Sequence, residues 1–168
     1  PTTYHLGYIL GPRINAGGRI GDAALGARLL TTEDETEAQK IAVLLDKLNK
    51  ERKAIETQML EEAFADADRR VSEMPDLPIV VVGSESWHKG IVGLVASRLV
   101  ERFGRPSCVI AWEKQAGSGA QTGTGSLRSV AGVDIGAAVR GAVAAGLLQK
   151  GGGHAMAGGF TLKAENLE

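Results

Sequence analysis

The chain has 168 residues, 43% of them hydrophobic and 23% charged, with 19 basic against 20 acidic side chains. That apolar share and balanced charge exclude a largely disordered chain. No run approaches the ~18 uninterrupted apolar residues of a membrane-spanning helix, and a net charge of −1 excludes a strongly basic arm while leaving room for a local basic site. The first ten residues lack a basic start followed by an apolar block, so no signal peptide is expected. The single Cys108 can form no internal disulfide, which fits a reducing, cytoplasmic compartment. Glycine is the outlier: the 23 glycines are about twice the usual ~7%.

In chain order, residues 1–31 carry the first glycine cluster, Gly11 to Arg19, read as a tight loop. Thirty residues are too few for a core, so this part is expected to be the end of a larger lobe and the chain a piece of something longer. Between Glu33 and Met74 there is no glycine or proline, and residues 32–74 read as one long helix. Thr32 and Glu35 fit a capping box. Ile41, Leu45, Leu48, Arg52, Ile55, Met59 and Glu62 form its seam, spaced by threes and fours. An intermolecular coiled coil and a connector between two lobes are the two uses of such a helix, and the connector fits better because one seam position is Arg.

Residues 75–168 change period. The β-branched run 79–82 predicts a buried strand, 90–103 a helix closed by Gly104 and Pro106, and 108–112 a second strand, together a βαβ unit. Thr122–Val130 predicts another strand. Asp134 is the expected cap of an Ala-rich helix through Leu148, and Phe160–Leu162 the last strand. The fold class expected is therefore α/β: a small mixed-sheet domain preceded by one long connector helix.

Three segments could carry chemistry. Gly151-Gly152-Gly153-His154 reads either as a nest of backbone N–H groups for an anion, with His154 as an added donor, or as a glycine-rich turn. On a strand, Ser126 and Arg128 share one face, and a hydroxyl beside a guanidinium suits a phosphate. The other reading is a solvated Arg on an edge strand. Arg13, Asn15 and Arg19 could grip a nucleic-acid backbone or sit in a capped turn. Trp87-His88 is read as capping a hydrophobic edge rather than stacking on a base, and Cys108 as a buried, inert thiol. The three histidines are scattered, and no metal site is visible.

Taken together and in order, the segments Leu10–Arg19, Leu48–Arg52, Trp87–Gly93, Gly125–Ser129 and Gly151–Gly159 resemble the RecJ family of single-stranded-DNA-specific exonucleases. A departure is Gly17, where the family often has alanine. The resemblance implies a DHH-associated domain that holds the 5′ end of single-stranded DNA for 5′→3′ hydrolysis in DNA repair and recombination. By that likeness Ser126 and Arg128 bind the terminal phosphate with Arg19 beside it, Gly152, Gly153 and His154 contact the phosphate nearest the metals, and Arg13, Asn15 and Ser129 belong to the same nucleic-acid-binding set. Two metals, Mn2+ or Mg2+, belong to the family's Asp-His-His lobe, whose motif is missing here, so the parent is expected to be the nuclease and this chain inactive alone. Partners implied are single-stranded DNA, that lobe of the same chain, and a helicase or single-strand-binding protein, with no membrane. Three other functions compete: a phosphodiesterase for short oligonucleotides or cyclic dinucleotides, an RNA-binding module like the C-terminal domain of alanyl-tRNA synthetases, and a structural coiled-coil dimer.

Overall fold

A computed structural model describes residues 1–114 and 120–167. Residues 117–119, the start of the second glycine cluster, lie outside the described residues. The chain forms two compact units, Pro1–Thr57 and Gln58–Glu168.

The first unit is helical. A π-helical turn, His5–Leu10, runs into α1 (Gly11–Ile20), followed by α2 (Ala24–Thr31) and the first half of α3 (Glu35–Glu73). The tight loop expected over residues 11–19 is thus a helix. Pro12 stands in its first turn, where a missing N–H costs nothing. The glycines serve helix packing: a β-carbon on Gly17 would lie 2.5 Å from the Asp22 carbonyl oxygen, and one on Gly26 2.8 Å from that of Ile14. The segment finds a core only together with α3, where Leu25 packs with Ile41 and Leu45, flanked by Leu29 and Leu48.

Helix α3 has 39 residues, about 58 Å at 1.5 Å per residue. Its cap is Asp34 rather than Thr32. Asp34 Oδ1 accepts from the N–H groups of Thr36 (2.8 Å) and Glu37 (3.2 Å), while the Thr32 hydroxyl donates to Glu37 (2.6 Å). The buried positions are Ile41, Leu45, Asn49 and Arg52, then Met59, Ala63 and Ala67. The seam therefore includes Asn49, and it passes through Ala63 instead of Glu62. Arg52, an oddity in an apolar stripe, is neutralised on its own helix: it donates to Glu56, one turn on, and to Asn49 Oδ1 (2.6 Å).

The second unit holds a five-stranded sheet in the order β1-β2-β3-β5-β4. Strand β1 (Val80–Ser84) is parallel to β2 (Ser107–Lys114), with α4 (Val92–Phe103) between them in sequence. Strands β3 (Gln121–Arg128), β4 (Lys150–His154) and β5 (Ala157–Lys163) make antiparallel pairs. This is the mixed α/β arrangement expected. Gly104 ends α4 with φ +63°, the left-handed turn open to glycine. One side of the sheet, through Val80, Val82, Val109 and Ala111, is buried, as are Val92, Val95, Ala96 and Leu99 of α4, which packs on β2 and β3. The other side gathers Cys108, Ile110 and Leu162 with Val81, Leu127 and Phe160.

Helix α5 (Ile135–Ala144) covers β4 and β5 and stops four residues short of Leu148. Asp134 caps it as expected, accepting from the Ala137 N–H at 2.9 Å. Residues 150–154 are a strand and not the loop or turn expected. Glycine is a poor strand former, but here pairing with β5 and close cover by α5 override that preference. A β-carbon on Gly151 would sit 2.7 Å from a Val139 methyl, so the helix can lie on this strand only because side chains are absent.

Candidate nucleic-acid interface

Strand alternation places Ser126 and Arg128 on one face of β3, as expected, and a hydrogen bond joins them. Arg128 Nη1 donates to Ser126 Oγ at 3.0 Å and to the Leu127 carbonyl at 2.8 Å. Both are half-buried. Gly93, the second residue of α4, lies directly against the pair: its β-carbon would meet Arg128 Nη2 at 2.9 Å and Ser126 Oγ at 3.1 Å. The amino end of α4, with its partial positive charge, is therefore beside a guanidinium and a hydroxyl.

The sheet register carries this face outward. Ser126 pairs with Gly159, which pairs with Gly152; Arg128 pairs with Ala157, which pairs with His154. Arg128 and His154 are two strands apart in one row, about 10 Å at the usual strand spacing. Between Ser126 and the sheet edge the row is only glycine. Nothing lies within 4 Å of a β-carbon built on Gly152, and the closest atom to one on Gly159 is 3.7 Å away. The result is a flat floor without side chains, flanked by Ser126, Arg128 and His154. Gly153 faces the opposite way, where a β-carbon would strike the Ala157 carbonyl oxygen at 2.3 Å.

His154 is exposed, and its Nδ1 accepts from the Met156 N–H at 3.3 Å. In the neutral ring the proton then sits on Nε2, which makes that nitrogen a donor. Ser129 is placed differently from Ser126. It is buried, and its hydroxyl donates to the Val133 carbonyl at 2.7 Å, which closes the turn before α5.

Arg13, Asn15 and Arg19 are in the first unit, on α1. Asn15 and Arg19 are four apart and share a face. Arg13 turns elsewhere: its Nε donates to Asp46 at 2.8 Å and its Nη1 to the Ile9 carbonyl at 2.7 Å. Lys50 and Arg13 together hold the Asp46 carboxyl below its ordinary pKa.

Two participants escaped the sequence reading of individual residues. Gly93 reads as an ordinary helix residue, its signals being a glycine in the first turn of α4 and its place at the end of the Trp87–Gly93 segment. Glu62, expected in the α3 seam, accepts from Trp87 Nε1 (2.7 Å) and the Ser86 hydroxyl (3.2 Å), tying the 84–90 loop to α3. Trp87 is thus buried structure, as the sequence reading favoured. Cys108 is also inert as expected, burial pushing its thiol up to about 12. Among the described residues, no three of His, Cys, Asp and Glu gather as metal ligands, and none of the helices is long and apolar enough to cross a membrane.

Residues 76–168 match the family model of the DHHA1 domain. Among curated proteins, the single-stranded-DNA-specific exonuclease RecJ of Bacillus subtilis is 38% identical over 162 residues, covering 96% of this chain and 20% of that protein. RecJ of Escherichia coli is 39% identical over 166 residues, covering 97% and 28%. The chain thus spans a fifth to somewhat over a quarter of the length of these relatives. The crystal structure of RecJ in complex with Mn2+ from Thermus thermophilus superposes with a TM-score of 0.78 at 34% identity, covering 94% of this chain and 22% of that one. The ordered motifs, the mixed sheet and these likenesses agree, and the chain belongs to the DHHA1 domain family, with similarity to the RecJ exonucleases along nearly its whole length.

Proposed function

We propose that this chain is the substrate-holding part of a 5′→3′ single-stranded-DNA exonuclease of DNA repair and recombination, and that Arg128 and Ser126 receive the strand's 5′-phosphate. The observation that carries this is the hydrogen-bonded Arg128–Ser126 pair beside an open glycine floor. A guanidinium offers two parallel donors to phosphate oxygens, and a floor of Gly159 and Gly152 lets a sugar-phosphate backbone lie close to the sheet. His154 Nε2 supplies a second donor along the same row. Interactions of this kind position a strand without reading its bases, so sequence preference should be slight.

The divalent metals bound in the RecJ relatives, Mn2+ in one structure and Mg2+ in another, would activate the attacking water. The residues described here do not form a cradle for them, so that chemistry is assigned to another part of the longer protein. This chain's own residues bind and orient.

The test is binding of short single-stranded DNA with and without a 5′-phosphate, at low salt. The phosphorylated strand should bind more tightly. Arg128→Ala should weaken its binding roughly 10- to 150-fold, the equivalent of one charge-assisted hydrogen bond of about 1.5–3 kcal/mol. The same variant should lower the salt slope by about 0.7, the share of a single neutralised phosphate on a single strand. Equal binding of the two strands, or an unchanged affinity and slope, would remove Arg128 from the site.

A further inference from the structure

We propose that Gly93 is a positioning residue for the phosphate site, its missing side chain leaving the seat in which the Arg128–Ser126 pair is held. This rests on the reading of that pair given above and adds the element that sets its geometry.

A glycine in a helix invites three explanations. The first is backbone conformation, which does not apply, because Gly93 is not among the residues with positive φ and alanine could hold the same helix. The second is close approach of two backbones, which also fails: the three atoms nearest a β-carbon on Gly93 are Arg128 Nη2 (2.9 Å), Ser126 Oγ (3.1 Å) and Arg128 Cζ (3.6 Å). No backbone atom is among them. The third explanation is space for those side chains, and all three of the nearest atoms belong to the pair. By contrast, Gly141 of α5 has nothing within 4 Å of its β-carbon position.

The geometry also says what a methyl would do. Arg128 Nη1 is tethered to Ser126 Oγ and the Leu127 carbonyl, so the guanidinium cannot slide along the strand without breaking those bonds. A methyl at position 93 must displace Nη2 and crowd the Ser126 hydroxyl. Because the displaced atoms are the end of a flexible side chain, the fold can absorb the change while the site cannot. Alanine is also the better helix former.

The experiment compares Gly93→Ala, Arg128→Ala, the double variant and Gly141→Ala in the full chain. Three readouts are used: thermal unfolding, the Arg128 Nε–H NMR signal (assigned by its loss in Arg128→Ala), and the ratio of affinities for 5′-phosphorylated and 5′-hydroxyl single-stranded DNA. Gly93→Ala should shift the Arg128 signal and cut the phosphate preference at least about fivefold, with Tm held or raised. Gly141→Ala should change neither signal nor preference. An unmoved Arg128 signal with the phosphate preference intact in Gly93→Ala overturns the proposal. If Gly93→Ala proves destabilised, the cost should fall in the Arg128→Ala background, since two of the three nearest atoms, the closest among them, are gone, and strictly additive effects overturn the proposal instead. Should the unmutated chain show no phosphate preference, the functional reading of the pair fails, while the NMR signal and the double-mutant cycle still decide whether Gly93 seats it.

Discussion

Glu62 shows how much one side chain can anchor. Its carboxylate accepts from Trp87, Ser86 and Gln58, and these hydrogen bonds, Trp87's foremost, hold its pKa below the ordinary 4.5. A folded-state pKa below the unfolded one means the stabilisation is fully present above about pH 4.5 and is lost as pH falls through the folded value. Acid titration followed by tryptophan fluorescence should therefore show a transition below pH 4.5, as the Trp87 bond is lost. Glu62→Gln should shrink that transition and leave the spectrum at pH 7 closer to the acid form. An identical acid transition in the variant would show that Glu62 is not its source. At the same scale, Ser126 and Ser129 differ by three residues yet have unlike roles, the first on the open face and the second turned into the Val133 carbonyl.

Among the elements, α5 illustrates a helix that depends on its ends. Its cap, Asp134, and its first-turn Gly136 both serve a helix laid on glycine: a β-carbon on Gly136 would lie 2.9 Å from the Gly153 carbonyl oxygen. Asp134→Ala removes the acceptor for the Ala137 N–H and should cost about 1 kcal/mol, within the 0.5–2 kcal/mol range of such caps. It would be read as a lower urea midpoint with an unchanged slope. An unaltered midpoint would mean that packing on β4 and β5 holds the helix start without the cap. Helix α3 follows a related rule in its second half, where Ala63 and Ala67 take the buried positions. Small residues there let a helix lie close, whereas a seam through Glu62 would have buried a charge.

For the whole molecule, Cys108 reports on the second unit. Its thiol is buried in the sheet core and pushed up to about 12, so at neutral pH almost no thiolate exists to react. Labelling by a disulfide reagent should be very slow in the native chain, and should become fast at the same urea concentration that unfolds the second unit. Rapid labelling in native buffer would contradict this burial.

The parts of this fold and site legible in sequence are those governed by neighbours along the chain. The glycine-free span from Glu33 to Met74 marks one uninterrupted helix, Asp134 a cap, Gly104 a left-handed stop, and the period of two on β3 the shared face of Ser126 and Arg128. Local rules sufficed because the relevant hydrogen bonds and side-chain directions span only a few residues. The glycine-rich segments were different. Gly11–Arg19 became a helix and Lys150–His154 a strand, and glycine's weak local preference offered no means of telling either from a loop. What gives the glycines their places is close approach by other parts of the fold: Ile14 against Gly26, Val139 against Gly151, and Arg128 against Gly93. Chain-local rules were enough for the long helix, the Asp134 cap and the pairing of hydroxyl with guanidinium. Only tertiary structure decided what the glycines are for, because an absent side chain has meaning only through whatever fills its place.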